Sequence, residues 1–146
     1  MHGAVVAIGG MLQQGSGAVY NMEGLGSNGR KIKGLTLYGT TKYGLAYLTD
    51  ALADETQGTP VIVGAIRPGM VVTDLLTKPF EGKPAEWEQA KKIYNLLAER
   101  VETVTPWIAV KVLANTKSGI RIQWLTRSRM GFCVLRSLFS QRDLFR

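Results

Sequence analysis

The chain has 146 residues, of which 45% are hydrophobic and 20% are charged, and its formal net charge is +7. This composition is typical of a soluble globular domain, and no apolar run approaches the roughly 18 residues needed to cross a bilayer. One cysteine, Cys133, excludes an internal disulfide and suits a reducing compartment, and one histidine, His2, excludes Ser-His-Asp hydrolysis and a metal site.

The first half of the chain predicts two helices and two strands. Residues 1–14 are apolar and small and predict the end of a helix, which Gln-Gln-Gly-Ser-Gly at 13–17 stops. Residues 18–21 predict a buried strand, and four glycines in 24–34 predict a loop. Leucines and alanines at helical spacing predict a helix over 38–55, and 61–66 predicts a second buried strand that a Pro-Gly pair ends.

The second half predicts three helices, one strand and a basic end. A helix start is expected at Thr73-Asp74, an amphipathic helix over 84–100, and another helix from Thr105-Pro106 to residue 112, with proline at its first position. Residues 119–124 alternate apolar and polar and predict an edge-like third strand. Strands alternating with helices indicate an α/β fold with a parallel sheet.

Tyr38 and Lys42 carry the clearest chemistry in the sequence. Residues four apart lie one above the other on a helix face. A tyrosine hydroxyl is a poor acid near neutral pH, and a lysine cation one turn away favours its ionised form. Such a pair can donate a proton to a carbonyl oxygen, or remove one from an alcohol, while a hydride moves. The alternative is a plain surface pair, which the flanking motifs argue against.

Three motifs in this order resemble the C-terminal half of a short-chain dehydrogenase/reductase, across roughly residues 1–125. They are the strand at 17–21, the Tyr38-x-x-x-Lys42 helix and the run Ile-Arg-Pro-Gly-Met-Val-Val-Thr at 66–73. Residues 20–27, residues 68–76 and the ending from Trp124 to Phe145 are similar to the chlorophyll b reductase group. The resemblance implies the C-terminal half of a Rossmann-type doubly wound parallel sheet, with NAD or NADP as cofactor.

The resemblance also implies roles for individual residues. Tyr38 would be the general acid/base, and Lys42 would assist it and bind the nicotinamide ribose. Pro68, Gly69 and Val71 would line the nicotinamide. Thr73 would contact the pyrophosphate at a helix N-terminus. Trp87 and Tyr94, in the helix after the Pro-Gly motif, are expected to form a core face or a lid over a wide apolar substrate.

Two departures from the family pattern matter. The catalytic serine of the family falls at Gly24, counted from Asn21, so Ser27 is the candidate replacement; the alternative is that Ser27 only stabilises a turn. The phosphate-binding TGxxxGxG would precede this sequence, and the family's active-site asparagine would fall immediately before Met1. Met1 is therefore expected to be internal to a longer protein, and the N-terminal dinucleotide-binding half is absent from this sequence.

The leading hypothesis is an NAD(P)H-dependent carbonyl reductase, with a small-molecule carbonyl substrate, in particular the formyl group of a chlorophyll b-type pigment. The chain alone is expected to be inactive, and the intact protein to be a homo-oligomer. The competing hypothesis is a non-catalytic half-domain that associates with full-length relatives or with a membrane surface. Localisation is expected to be cytoplasmic, or in a plastid and at the thylakoid if the source is a photosynthetic eukaryote.

The C-terminal residues 126–146 form a separate basic segment in this interpretation. Residues 117–146 carry seven Lys or Arg against one Asp, whereas residues 1–116 are nearly neutral. A basic amphipathic helix or tail is expected there, with three interpretations open: a solvated face, attraction to an anionic membrane, or nucleic-acid contact. The last is disfavoured because the segment has few aromatic residues and no recognisable module.

Overall fold

The computed structural model describes residues 2–140 and 142–145 of the chain. Met1, with which the predicted first helix begins, lies outside the described residues. So do Gln141 and the basic Arg146 of the predicted tail. The helices and strands, in chain order, are α1 His2–Gln14, β1 Gly17–Met22, α2 Thr36–Glu55, β2 Val61–Arg67, α3 Asp74–Thr77, α4 Pro84–Leu97, α5 Val101–Leu113, β3 Arg121–Gln123 and α6 Arg127–Ser137. A 3-10 turn, Lys78–Phe80, follows α3.

In the described part of the chain the sheet has three strands in the order β1-β2-β3, with β1 and β2 parallel. The register runs from Gly17 opposite Val61 to Met22 opposite Ile66. The central strand β2 is the most deeply buried, since Val63 and Ala65 have no exposed surface. A continuous apolar run is what a parallel strand covered on both faces requires. The predicted α/β fold with a parallel sheet is confirmed, and β3 lies at an edge as expected.

The chain divides into two compact units. The first contains the residues up to Arg67 together with Lys111–Ile122, and the second contains Pro68–Val110 and the residues from Gln123 onward. In the first unit, α1 and α2 pack against the sheet through a core of five buried side chains: Ile8, Leu52, Ala53, Val61 and Val63. The domain boundary expected at residue 125 stays a prediction.

The second unit is organised by aromatic rings. Trp87 and Tyr94 of α4 have ring centroids 6.1 Å apart, and Phe80 and Phe145 pack against both of them. The centroids of Trp87 and Phe145 are 4.8 Å apart, in an edge-on arrangement that aromatic quadrupoles favour. Phe145 therefore packs against α4.

The bounds of α5, α4 and β3 differ from the sequence expectations, and β3 is shorter than the predicted strand 119–124. Helix α5 begins at Val101, so Pro106 is inside the helix and not at its first position; the buried Val104 stabilises the preceding turn by packing. Helix α4 ends at Leu97, because Glu99 instead forms an isolated parallel bridge with Val71. Within the predicted basic segment 126–146, Arg127–Ser137 form the helix α6, and the described residues that follow it are not helical. No helix among the described residues is both long and apolar enough to traverse a bilayer.

Candidate active site

Tyr38 and Lys42 lie in the first two turns of α2. The Lys42 ammonium nitrogen is 5.7 Å from the centroid of the Tyr38 ring, as their four-residue spacing predicts. Tyr38 is 36% exposed, and Lys42 is half-buried. The phenol can therefore be reached from solvent while the cation is partly shielded, which strengthens the attraction between the cation and any developing negative charge.

The end of β1 contacts both residues. The Lys42 ammonium donates a hydrogen bond of 2.9 Å to the carbonyl of Met22. At Gly24 a Cβ atom would lie only 2.5 Å from the Tyr38 hydroxyl oxygen and 3.2 Å from Lys42 Cε. Tyr38 therefore packs against the bare Cα of Gly24. Any side chain at position 24 would displace its hydroxyl.

The glycine-rich loop lies directly on the backbone of α2. Gly26 has a φ of +95°, and a Cβ there would be 2.9 Å from the Cα of Gly39. The conformation and the close approach both require glycine. The requirement applies to Gly26 and not to Gly39, since a Cβ on Gly39 would meet nothing within 4 Å.

Ser27 is buried in this loop, with 6% of its surface exposed. Its amide donates to the carbonyl of Gly24 at 3.1 Å, closing a turn. Among the described residues, the Ser27 hydroxyl makes no hydrogen bond to Tyr38. The residue that lies against the Tyr38 hydroxyl is Gly24. The catalytic role expected for Ser27 is not supported by a hydrogen bond to Tyr38 among the described residues, and it stays a prediction.

An ionic network centred on the buried Glu23 lies beside the pair, and sequence reasoning missed it. The Glu23 side chain has no exposed surface, and its two carboxylate oxygens accept hydrogen bonds from the Nε atoms of Arg67 and of Arg121, the latter at 3.1 Å. Arg121 also donates to both carboxylate oxygens of Asp50 at 2.7 Å. These hydrogen bonds to Asp50, with the charge of Glu23, raise the pKa of Arg121 against the opposing effect of burial.

A signal for this network was present in the sequence. Glu23 and Arg67 each follow directly on the last paired residues of two parallel strands, Met22 and Ile66. The carboxyl ends of neighbouring parallel strands lie at the same edge of a sheet. The parallel pairing of β1 with β2 therefore predicts that the Glu23 carboxylate and the Arg67 guanidinium are neighbours. The parallel sheet was predicted, but its register was not worked out.

The Pro-Gly motif belongs to the second unit. Gly69 has a φ of +75°, and a Cβ there would come within 2.7 Å of Leu125 Cβ. Val71 pairs with Glu99, with hydrogen bonds of 2.9 Å from the Glu99 amide to Met70 and from the Val72 amide to Glu99. The motif is therefore a fixed turn followed by a short extended segment.

Thr73 precedes the four-residue helix α3 as expected, but its hydroxyl does not cap that helix. It lies 3.4 Å from the carbonyl of Val71. Nearby on α4, burial raises the pKa of Tyr94, whose ring is packed in the aromatic cluster. The predicted core face made by Trp87 and Tyr94 is thus observed within the second unit, while a role over substrate stays a prediction.

Comparison with known proteins decides the family. The sequence model described as short chain dehydrogenase matches residues 1–84. The chain belongs to the short chain dehydrogenase family. It is 34% identical over 134 residues to the chloroplastic chlorophyll(ide) b reductase NOL of Arabidopsis thaliana, covering 90% of this chain and 37% of the relative. It is 36% identical over 118 residues to the probable chloroplastic chlorophyll(ide) b reductase NYC1 of Oryza sativa subsp. japonica, covering 81% and 22%.

Solved structures show the same fold. Actinorhodin polyketide ketoreductase with NADPH superposes with a TM-score of 0.62 at 24% identity, over 82% of this chain and 50% of that one. The closed form of serine dehydrogenase complexed with NADP+ gives a TM-score of 0.66 at 23% identity, over 86% and 50%. The chain thus spans about half of these structures and less than half of those two plant relatives.

Proposed function

We propose that this chain supplies the catalytic and C-terminal portion of an NAD(P)H-dependent carbonyl reductase, with Tyr38 as the general acid. The observation that carries the proposal is the arrangement of Tyr38 over Lys42, with the ammonium held at 2.9 Å by the Met22 carbonyl. A partly exposed phenol beside a fixed cation is suited to donating a proton to a carbonyl oxygen. When bound, a reduced nicotinamide supplies the hydride, which adds to the carbonyl carbon.

Lys42 fits the proposed cofactor. An ammonium group has three N–H donors, and among the described residues Lys42 uses one, to Met22. Two donors remain for the hydroxyls of a ribose. The Tyr38 hydroxyl would give its proton to the substrate oxygen as that oxygen gains negative charge, and the Lys42 cation would stabilise the resulting phenolate.

The remaining cofactor contacts are proposed from the family resemblance. Pro68, Gly69 and Val71 would lie along the nicotinamide, and Thr73 would contact the pyrophosphate. The fixed backbone of this motif supports the first part, because Gly69 occupies a turn that Leu125 closes from one side. We further propose a formyl group of a chlorophyll b-type pigment as substrate and a plastid location, on the basis of the two chloroplastic relatives.

The test is Tyr38→Phe in the native protein, with Tyr43→Phe on the same helix as the matched control. Loss of the acid is expected to lower kcat roughly 10²- to 10⁴-fold, whereas Tyr43, which is 59% exposed, should tolerate the change. Activity is followed as NADPH or NADH oxidation with a formyl-bearing pigment and, separately, with a simple aromatic aldehyde. Near-wild-type activity of Tyr38→Phe would refute the proposed acid. Reduction of the aromatic aldehyde without reduction of the pigment would refute the proposed pigment substrate and would still support the proposed reductase activity.

Length is the companion measurement. The intact mass of the protein made by its native source distinguishes a chain of 16.0 kDa from a longer one. A longer protein would direct the assays to that full-length form. A mass of 16.0 kDa would favour the alternative proposal, in which this half-domain associates with full-length relatives through α2. Three exposed side chains support that alternative: Leu37, Tyr43 and Tyr47.

A second candidate function is attachment to an anionic membrane through α6. Four large apolar side chains of this region are more than half exposed: Phe132, Leu135, Leu138 and Phe139. Arg127 and Arg136 lie on the same helix, which has no acidic residue. Apolar side chains interleaved with arginines suit the interface of an anionic bilayer. Salt-sensitive binding to anionic vesicles is expected; equal binding to neutral vesicles at high salt would contradict it.

A further inference from the structure

The three residues that leave β1 touch both members of the proposed acid–base pair. The carbonyl of Met22 accepts a hydrogen bond from the Lys42 ammonium, and the Tyr38 hydroxyl packs against the Cα of Gly24. Glu23 is the residue between them. The placement of the phenol and the cation therefore depends on the position of one short backbone segment, 22–24.

That segment is fixed to its surroundings through Glu23. The Glu23 amide donates to the carbonyl of Ile66 at 2.9 Å, which extends the pairing of β1 with β2 by one residue. The side chain binds Arg67 at the end of β2 and Arg121 on β3. All three strands therefore converge on this carboxylate.

The same network reaches the helix that carries the pair. Arg121 bridges Glu23 to Asp50, and Asp50 lies two turns beyond Lys42 on α2. A guanidinium group has a rigid, planar set of donors, so it fixes the distance between its two carboxylate partners. Glu23 is thus tied to the sheet and to α2 at once.

The burial of Glu23 makes these contacts strict. Its side chain has no exposed surface, so water cannot replace a lost partner. Neither its carboxylate nor its arginines contact Tyr38 or Lys42 among the described residues. Its influence on the pair therefore passes through the backbone, at Met22 and Gly24 and, by way of Arg121 and Asp50, along α2.

We propose that Glu23 is a positioning residue for the Tyr38–Lys42 pair, a role that rests on the function proposed above. Its carboxylate, held between Arg67 and Arg121, fixes residues 22–24 so that the Met22 carbonyl orients the Lys42 ammonium and Gly24 leaves room for the Tyr38 hydroxyl. No proton is transferred at Glu23. The negative charge of Glu23 acts only by binding Arg67 and Arg121, which fixes the backbone of residues 22–24.

The test is Glu23→Gln, which keeps the shape of the side chain and removes its charge. Acetylation of Lys42 by acetic anhydride, measured by mass spectrometry in the 146-residue chain, reports whether the ammonium is still held; the exposed Lys31 is the internal reference. Lys42 is expected to react roughly tenfold faster relative to Lys31, the effect of losing one hydrogen bond to a charged group. In the reductase assay, kcat is expected to fall about 100-fold with KM changed little, as for a misplaced catalytic group.

Two controls separate positioning from stability. Leu52→Ala opens a cavity in the core of the same unit and lowers stability without touching residues 22–24. Glu55→Gln removes an exposed carboxylate at the end of α2, outside the network, and serves as the charge-matched control. Both variants are expected to keep the wild-type Lys42 reactivity. If Glu23→Gln does not fold, Arg121→Gln takes its place, since Arg67 still pairs with the carboxylate.

The outcomes are distinct. Unchanged Lys42 reactivity in Glu23→Gln or Arg121→Gln overturns the positioning role, even if the enzyme is a reductase. So does an equal change in Leu52→Ala. Full activity of Tyr38→Phe refutes the proposed function but does not affect the acetylation result, because acetylation of Lys42 requires no catalysis. Faster Lys42 acetylation confined to the Glu23 and Arg121 variants, with kcat lowered and KM retained, supports the proposal.

Discussion

Each unit of this protein contains a glutamate bound to arginine, but the two sites differ in burial and in number of partners. The Glu23 side chain has no exposed surface and binds the side chains of two arginines. The Glu99 side chain is 20% exposed and, among the described residues, binds one arginine side chain, that of Arg142, together with the backbone amide of Arg100. Arg142 also donates to the carbonyl of Ala98 at 3.2 Å. Burial raises the cost of leaving a charge unpaired, so the contact in the first unit should dominate local structure, and the one in the second should mainly hold the chain end.

Removing the buried carboxylate is the strongest way to test this difference. Glu23→Ala leaves Arg67 without its carboxylate partner and Arg121 with Asp50 alone among the described residues, and we expect the free energy of unfolding to fall by about 3 to 5 kcal/mol. Urea denaturation followed by circular dichroism measures it. A loss no larger than that of an exposed pair would mean that water enters the site.

A methyl group at position 24 tests how rigid the adjoining segment is. In Gly24→Ala the new Cβ would lie 2.5 Å from the Tyr38 hydroxyl, so the ring or the segment must move. We expect a loss of about 1 to 3 kcal/mol in unfolding free energy, as for other overpacked sites. Gly10→Ala in α1, where a Cβ meets nothing within 4 Å, is the control and should be stabilising by roughly 1 kcal/mol.

The partly exposed pair should give a smaller effect. Glu99→Ala removes the partner of Arg142, and we expect a loss of about 1 to 2 kcal/mol, the usual range for a hydrogen bond to a charged group. The double variant Glu99→Ala/Arg142→Ala should lose less than the sum of the single variants, because the pair is coupled. Strict additivity would show that the ion pair contributes no stability.

The smallest expected effect is a pH dependence from Tyr94. Burial raises its pKa in the folded state, so the folded chain retains the phenol proton more strongly than the unfolded chain does. This contribution is fully present below the ordinary tyrosine pKa of about 10 and is lost as the pH rises beyond it. Tyr94→Phe should therefore lose less stability than wild type between about pH 9 and about pH 11. Parallel pH curves for the two proteins would contradict it; the exposed Tyr47→Phe is the control.

Local patterns predicted what depends on neighbouring residues. The four-residue spacing of Tyr38 and Lys42 gave their contact, and the apolar run at 61–66 gave the central strand, because helix and strand periodicities are short-range properties. The start of α5 was missed because Pro106 is a strong local signal, whereas packing of Val104 stabilises the earlier turn.

The surroundings of the pair depend on contacts that local patterns do not contain. Glu23 meets Arg121 across 98 residues of sequence, and Gly24 meets Tyr38 only when the loop lies on α2. Ser27 was the natural candidate from residue type alone, because position 24 has no side chain. The contact of Glu23 with Arg67 is different, because the parallel register of β1 and β2 would have predicted it from the sequence.

The distribution of aromatic residues has a practical consequence for all of these experiments. The three tryptophans, Trp87, Trp107 and Trp124, belong to the second unit, and four of the five tyrosines belong to the first. Two of the tryptophans, Trp107 and Trp124, pack edge-on at 5.2 Å. Tryptophan emission therefore reports unfolding of the second unit alone, while the tyrosine signal is weighted to the first. Comparing the tryptophan and tyrosine emission during thermal unfolding therefore shows, without any added dye, whether the two units unfold in one transition or two.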